Sequence, residues 1–540
     1  MNGSRIRNAE IDPPRTDDLE NHSLHQKTTL TASKWSSGLA IVAYLAALKF
    51  LLHMMTAANY GLFVDELYFL ACGEHLAWGY VDMPPLTAFQ AWLARSMFGD
   101  SLYAIHLLPA LIGAANVLLI GALVRQLGGQ RYAQGLAALA FVVAPAWFAI
   151  HAYLSMNSVE LLLMTGCAFV LVRVIKTGNP RLWPVFGLLA GVGMLNKHTM
   201  LLFAFALILS LILTSQRQLI WNWWFVAGGT IALIIFSPNF VWMWRHHFPH
   251  LELLANIKRN QRNVTLSPFG FMGQQILFML PTSLPVWLAG LWYFLAGRGR
   301  QRFRTLGLAY LVSLGVLLAS SGRTYYLLPA YPMLLAGGAV AIEQWFSRVG
   351  WSWVRPAYTG VIAATGMLLA PVLLPLLPPE SYIRYTSTIG ISQPKLETRK
   401  TSALPQLFAD RFGWPEMVQT VAAAYHAIPL PERQKTAIFG QDYGQAGAID
   451  FYGPKMGLPK AISGHLTYWY WGPRSYTGEI ILVMGDRREV LESKFEKVEK
   501  VGEVRHPYAM ASLQWDLFLC RRPKGWRNLQ EIWPRIKNWN

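Results

Sequence analysis

Three carboxylates in one connection carry the strongest chemical signal in this sequence. Asp65 and Glu66 lie in Tyr60-Gly-Leu-Phe-Val-Asp-Glu-Leu-Tyr-Phe69, and Asp82 precedes Met83-Pro84-Pro85-Leu86. A carboxylate at a membrane boundary is costly unless it is solvated, paired or bound to metal, so acids placed there point to general acid–base work or metal ligation. The competing reading is a solvated helix start, because Asp and Glu favour a first turn. Cationic counterparts lie far along the chain. Lys197 follows a glycine-rich apolar run, and Arg323 stands beside Tyr325 and Tyr326 on a short join. Arg259 and Arg262 fall in the connection 245–270, together with Arg245, His246, His247 and Lys258. Arginine can grip phosphate with two parallel N–H groups. A lysine at such a boundary can instead snorkel, and the two tyrosines alone read as an interfacial belt. Adjacent histidines are poorly spaced to share one metal, so a divalent ion would need Asp65, Asp82, Glu66 or His75 as well. That ion, with Asp65 and Asp82 as first candidates for ligands, is the one cofactor the pattern allows.

The elements that must position these groups are mostly apolar helices. The chain has 540 residues, 53% hydrophobic and only 14% charged, where a soluble protein would carry about a quarter charged. About eleven apolar windows approach the roughly 20 residues that a bilayer requires, the first at 38–58 and the last at 357–377. The windows at 182–195 and 200–213 are short. The expected fold is an all-α polytopic membrane domain of about eleven transmembrane helices over 38–378, with a first outer loop at 59–101. A soluble α/β domain follows at 379–540, where short apolar runs such as Thr436–Phe439 and Glu479–Met484 alternate with turns and charged segments. Residues 1–37 are polar, lack a signal-peptide pattern, and read as a disordered cytoplasmic tail.

The formal charge of +18 does not imply a nucleic-acid partner. Basic residues cluster on alternate joins, at Arg125 and Arg131, at Arg173, Lys176 and Arg181, at Arg217, at Arg298 to Arg304, and at Arg348 and Arg355. This is the positive-inside pattern, and the partner it indicates is the lipid bilayer. The connection 245–270 breaks the trend, so an anionic partner on the other side would explain its charge, against a solvated loop. Three cysteines, Cys72, Cys167 and Cys520, cannot build a disulfide framework and read as packing residues. In the soluble portion, Phe439-Gly-Gln-Asp-Tyr443-Gly-Gln-Ala-Gly447 fits a strand-to-helix turn but lacks dinucleotide-binding spacing. Lys49 is a conspicuous charge inside a span, explained by pairing or snorkelling alone.

Asp65-Glu66 after the first span, with Asp82-Met-Pro-Pro-Leu86 later in that loop, resembles the first outer loop of glycosyltransferase family 39. Further matches are Leu154-Ser-Met-Asn-Ser-Val-Glu160, Gly191-Val-Gly-Met-Leu-Asn-Lys-His198 and Gly322-Arg-Thr-Tyr-Tyr-Leu-Leu-Pro-Ala-Tyr-Pro332. That family includes protein O-mannosyltransferases and the lipid A aminoarabinose transferase. The resemblance, to an uncharacterised bacterial branch, implies a GT-C fold, a polyprenyl-phosphate sugar donor and an active site on the outer face. It also implies a catalytic aspartate at Asp65 and a donor-phosphate contact at Lys197. Two departures stand out: Met83, where relatives often carry a basic residue or histidine, and Met156-Asn157, where an aspartate is common. Acceptor identity therefore does not transfer.

The expected activity is transfer of a sugar, with inversion, from a polyprenyl-phosphate donor to an extracytoplasmic lipid, glycan or protein. In this scheme Asp65 is the base, and Glu66 and Asp82 are its supports or metal ligands. Lys197, Arg323, Tyr325, Arg259 and Arg262 contact the donor phosphate. The alternatives are a lipid-linked sugar flippase or other transporter, and an inactive relative that displays its outer domain. A multi-pass inner-membrane protein with a cytoplasmic N-terminus and the 379–540 domain outside satisfies the charge pattern. Alkaline phosphatase fused after Gly453 should accordingly be active; an inactive phosphatase there, with an active cytoplasmic reporter, would reverse the topology.

Overall fold

The computed structural model describes residues 37–350, 352–391, 393, 397–398 and 402–540. Apart from Ser37, the expected 1–37 tail lies outside the described residues. Every expected apolar window is helical, but not every one is a straight crossing. Among the described residues, seven helices are long and apolar enough to span a membrane, or eight if one bent pair is a single span. The bent pair, Pro268–Phe278 and Pro281–Leu295, turns by 94°. The window expected at 133–150 divides into Arg131–Val142 and Pro145–Ile150, because Pro145 cannot donate to the preceding turn. Trp183–Asn196 and Thr199–Ile212 have 14 residues each, about 21 Å at the helical rise. Length alone therefore does not give eleven full crossings.

Packing sorts the helices into centre and rim. Met156–Thr177 and the segment Thr324–Val349 are enclosed over 83% and 89% of their apolar windows, whereas Trp223–Arg245 is enclosed over only 17%. The exposed Trp223, Leu233 and Ile234 on that rim helix give it a lipid-compatible surface. Association of spans relies on close backbone approach through small residues. Leu284–Leu295 meets Tyr331–Val349 in this way: a Cβ at Gly338 would overlap the Val286 carbonyl, and one at Gly290 the Leu334 carbonyl. Gly187 and Gly228 serve the helices Trp183–Asn196 and Trp223–Arg245 similarly.

Lys49 neither pairs with a carboxylate among the described residues nor snorkels. It is fully buried, donates to the Trp147 carbonyl at 2.9 Å, and lies 4.9 Å from the Phe148 ring centre. The three cysteines are free and buried, as packing residues would be. The basic joins meet at one end of the helices, where Lys176 donates to the Gln126 carbonyl at 2.9 Å and Arg302 contacts the Lys176 carbonyl. The loop 59–101, the joins near 151–155 and 197, and the soluble portion gather at the other end.

The soluble portion holds a four-stranded mixed sheet of β1 (Thr436–Gly440), β2 (Ile480–Met484), β3 (Phe495–Val504) and β4 (Trp515–Pro523), in the order β1-β2-β4-β3. β1 and β2 are parallel, and the other pairs are antiparallel. The turn after β1 leads into helix Tyr443–Tyr452, capped by the Asp442 side chain, which accepts from the Gln445 amide. That helix packs on helix Val64–Glu74 so closely that a Cβ at Gly447 would lie 2.8 Å from the Leu67 carbonyl. Gly338→Val should lower the thermal unfolding midpoint in detergent, by an amount equivalent to about 1–3 kcal/mol. Gly360→Val is the control, since a Cβ there meets nothing within 4 Å; equal effects of the two would refute the close-packing account.

Candidate active site

Helix Val64–Glu74 starts a few residues after the first span and carries both acids in its first turn. Its third residue, Glu66, reaches back to accept from the Phe63 amide at 2.8 Å, a contact typical of a helix N-terminus. Glu66 has no exposed surface. It also accepts from the Leu154 amide at 2.6 Å and lies 3.0 Å from His106 Nε2. Burial alone would raise its pKa, but His106, the nearby Arg411 charge and the Leu154 amide hold it below the ordinary carboxylate value. Glu66 thus anchors the loop from a position that an incoming hydroxyl cannot reach.

Asp65, one residue earlier, is half-buried and accepts from the Tyr443 hydroxyl at 2.7 Å. The Tyr443 ring stacks on His465, with centres 5.0 Å apart. Asp82 is placed by a second relay from the soluble portion. The Thr467 hydroxyl accepts from the Val81 amide at 3.1 Å and lies 2.6 Å from the Tyr68 hydroxyl, which donates to Asp82 at 2.8 Å. Burial pushes the Asp82 pKa up to about 6. The Tyr68 hydrogen bond and the Arg262 charge oppose that rise, and the Asp65 charge adds to it. Met83 is buried, so its departure from a basic residue fills core space.

The cations form a continuous network. Lys197 is nearly buried, donates to Glu160 at 2.8 Å and Asn157 at 2.9 Å, and lies 4.6 Å and 5.2 Å from the Tyr326 and Tyr325 ring centres. An ammonium has three donors, and these two hydrogen bonds use two. Arg323 donates to Asn263 at 2.9 Å and to the Tyr325 hydroxyl at 3.2 Å. Its remaining terminal nitrogen is 3.3 Å from Glu397, whose same oxygen is 3.4 Å from Arg262. Arg259 is exposed at the end of helix Pro249–Arg259 and makes none of these contacts.

Electrostatics join the acids to the cations. The Asp82 carboxyl feels both Asp65 and Arg262. Burial first, then the charges of Asp65 and Tyr325, push up the Tyr153 phenol, which sits between the two groups. No three His, Cys, Asp or Glu side chains converge as a metal ligand set among the described residues. Asp65 and Asp82 are each held by a tyrosine hydroxyl, and His246 stacks on Trp242 at 4.0 Å.

The half-buried Asp65 and the cation network thus lie on segments at the end of the helices opposite the basic joins. Residues 82–242 match the family model described as dolichyl-phosphate-mannose-protein mannosyltransferase. The fold is similar to that of ArnT from Cupriavidus metallidurans bound to undecaprenyl phosphate, with 14% identity and a TM-score of 0.58 over 90% of this chain and 98% of that one. The apo state of the same protein gives 14% and 0.57, over 91% and 98%. AglB from Archaeoglobus fulgidus, in complex with an inhibitory peptide and a dolichol-phosphate, gives 11% and 0.47, over 77% and 63%. No curated protein sequence matches. The helical part of the fold is thus shared with ArnT, and residues 82–242 carry the mannosyltransferase family pattern. The family match begins at Asp82 and takes in Asn157, Glu160 and Lys197, while Asp65, Arg262 and Arg323 lie outside it.

Sequence reasoning did not assign Tyr443, Thr467, Arg411 or Glu397 to the site. Tyr443 stood in a noted glycine-rich turn, and that turn was the available signal; the others are ordinary surface residue types whose neighbours only packing reveals. With Asp82 displaced to about 6, the carboxylate infrared band that vanishes in Asp82→Asn should titrate with a midpoint near that value. Tyr68→Phe removes a donor that favours the charged form, so the midpoint should move up. A midpoint in the ordinary aspartate range, about 3.9, would contradict the buried environment.

Proposed function

We propose that this family 39-like membrane glycosyltransferase transfers a sugar from a polyprenyl-phosphate donor to a hydroxyl acceptor, with inversion. The observation that supports this most directly is the combination of Asp65 with the Lys197, Arg323 and Arg262 network at one membrane boundary. The lipid tail would enter from the bilayer, and the phosphate would bind the cations. The acceptor oxygen attacks the anomeric carbon opposite the phosphate. As the new C–O bond forms, the bond from the anomeric carbon to phosphate breaks, and the electron pair leaves with the phosphate. Asp65 takes the acceptor proton, and the cations stabilise the charge that develops on the leaving group.

The remaining assignments follow from position. Glu66 holds the loop, and Asp82 supplies a second negative potential that keeps Asp65 basic. Tyr325 orients Arg323 through its hydroxyl. Arg259, exposed on its helix, contributes at most to the charge met by an approaching head group. The collection of basic joins at the opposite end favours an extracytoplasmic site, and an inner-membrane location accords with a polyprenyl donor. Undecaprenyl phosphate, the ligand of the C. metallidurans ArnT structure, is the first carrier to test. A flippase would move such a lipid without breaking the sugar–phosphate bond, so bond cleavage separates the two readings.

Membranes with equal amounts of wild-type and Asp65→Asn protein should differ about 10²–10⁴-fold in transfer from a radiolabelled lipid-linked sugar pool, the usual loss for a general base. Retention of more than about a tenth of the activity, far above that range, would remove Asp65 from the base role. Wild-type protein that releases no sugar from any lipid donor would overturn the transferase reading itself.

A further inference from the structure

One carboxylate occupies the centre of the cation network. A single Glu397 oxygen lies 3.4 Å from an Arg262 nitrogen and 3.3 Å from an Arg323 nitrogen. The other oxygen is 3.5 Å from the Gln406 amide nitrogen. Charge-assisted pairs of good geometry are about 2.7–2.9 Å long, and arginine prefers to meet two oxygens at once. Sharing one oxygen between two guanidinium groups allows neither preference. The consequence shows at Arg262, whose Nε is buried without a hydrogen-bond partner. Arg262 also donates through Nη1 to the Asn540 main-chain oxygen at 2.7 Å, but toward the shared site the two arginines divide one carboxylate oxygen, whereas a phosphate, with two or three free oxygens on one centre, offers each its own acceptor.

We propose that Glu397 is an affinity-determining residue of the lipid-phosphate site: it holds Arg262 and Arg323 as a counter-anion and yields them to an incoming lipid phosphate. This rests on the donor-site reading given above. Three observations support exchange at this position. The remaining Arg323 donors bond neutral groups, Asn263 and Tyr325, so the guanidinium stays in place when the carboxylate leaves. The three side chains retain 10–23% exposure, so the pair is reachable by water and by a head group. The backbone around Glu397 is pinned next to Arg262, with the Thr398 amide donating to the Arg262 carbonyl at 3.2 Å. Displacement therefore needs a side-chain rotation, and the carboxylate stays close enough to return.

The same competition bears on turnover. A polyprenyl-phosphate sugar is a phosphodiester with one negative charge, whereas the spent carrier is a monoester with up to two. With Lys197 kept by Glu160, an uncompensated pair of Arg262 and Arg323 would hold the more highly charged product more tightly than the donor. A carboxylate that reclaims the arginines lowers the positive potential and weakens the hold on product most.

Binding of undecaprenyl phosphate to the purified full-length protein in phosphatidylcholine nanodiscs tests this without knowledge of sugar or acceptor. Glu397→Gln and Glu397→Ala, measured side by side so that one misfolded variant does not void the test, should each bind about tenfold more tightly, equivalent to about 1.4 kcal/mol. The gain should shrink as salt is raised. Arg323→Ala in the otherwise unchanged protein should bind more weakly. Unchanged or weaker binding in the Glu397 variants, with Arg323→Ala weakened, would overturn the counter-anion role while leaving the phosphate site intact. Unchanged binding in Arg323→Ala would remove the phosphate site, and the role of Glu397 with it.

Discussion

The buried carboxylate of Glu66 is the contact on which the site depends. A fully buried charge is tolerated only when its partners replace water. Here they come from four places: the Phe63 amide at the start of its own helix, His106 in the second span, the Leu154 amide in a later join, and the Arg411 charge from the soluble portion. Each partner belongs to a different structural unit, so satisfying Glu66 fixes those units relative to one another. Asp65, the preceding residue in the same helical turn, inherits that position. In the transfer reading, an aspartate that accepts a proton must stay open to its substrate, and the sealed neighbour, Glu66, is the one that holds the loop.

The same principle shapes the cations. Lys197 and Arg323 are both largely enclosed, and each is accompanied by a carboxylate, Glu160 or Glu397, together with tyrosine rings. Glu160 is sealed below Lys197 and also accepts from Thr199, which suits a permanent partner. Glu397 has long, shared contacts at a more open position, which suits an exchangeable one. The difference in burial and geometry divides two superficially alike ion pairs into a fixed support and a replaceable counter-ion.

The soluble portion is part of this construction. Tyr443 reaches Asp65, Thr467 reaches Tyr68 and Val81, and Arg411 donates to the Ala152 carbonyl at 3.3 Å. These contacts place side chains from the C-terminal third around acids carried by the loop 59–101. In the transfer reading, the domain forms a wall of the reaction chamber and limits water at Asp82, which accounts for the upward displacement of that carboxyl by burial.

Local features were legible in the sequence because they depend on neighbours along the chain. Apolar windows of near-span length became helices, basic residues on alternate joins met at one end, and Thr436–Phe439 with the glycines after it became a strand, a turn and a helix. The clustering of Asp65, Glu66 and Asp82 within one loop was likewise visible. The sequence did not distinguish Glu66 from Asp65, although one is sealed and the other half-open, because adjacent residues on a helix face different surroundings. Nor did it separate Arg262, inside the network, from Arg259, outside it. Hydropathy reported that 133–150 and 271–295 are apolar but not that each breaks, since a break is set by one proline or by a bend that packing stabilises. The hydrogen bond from Tyr443 to Asp65 spans 378 positions, and Glu397 meets Arg323 across 74. Periodicity and composition act over a few turns of chain; which distant groups meet is decided by helix packing and by the need of each buried charge for a partner.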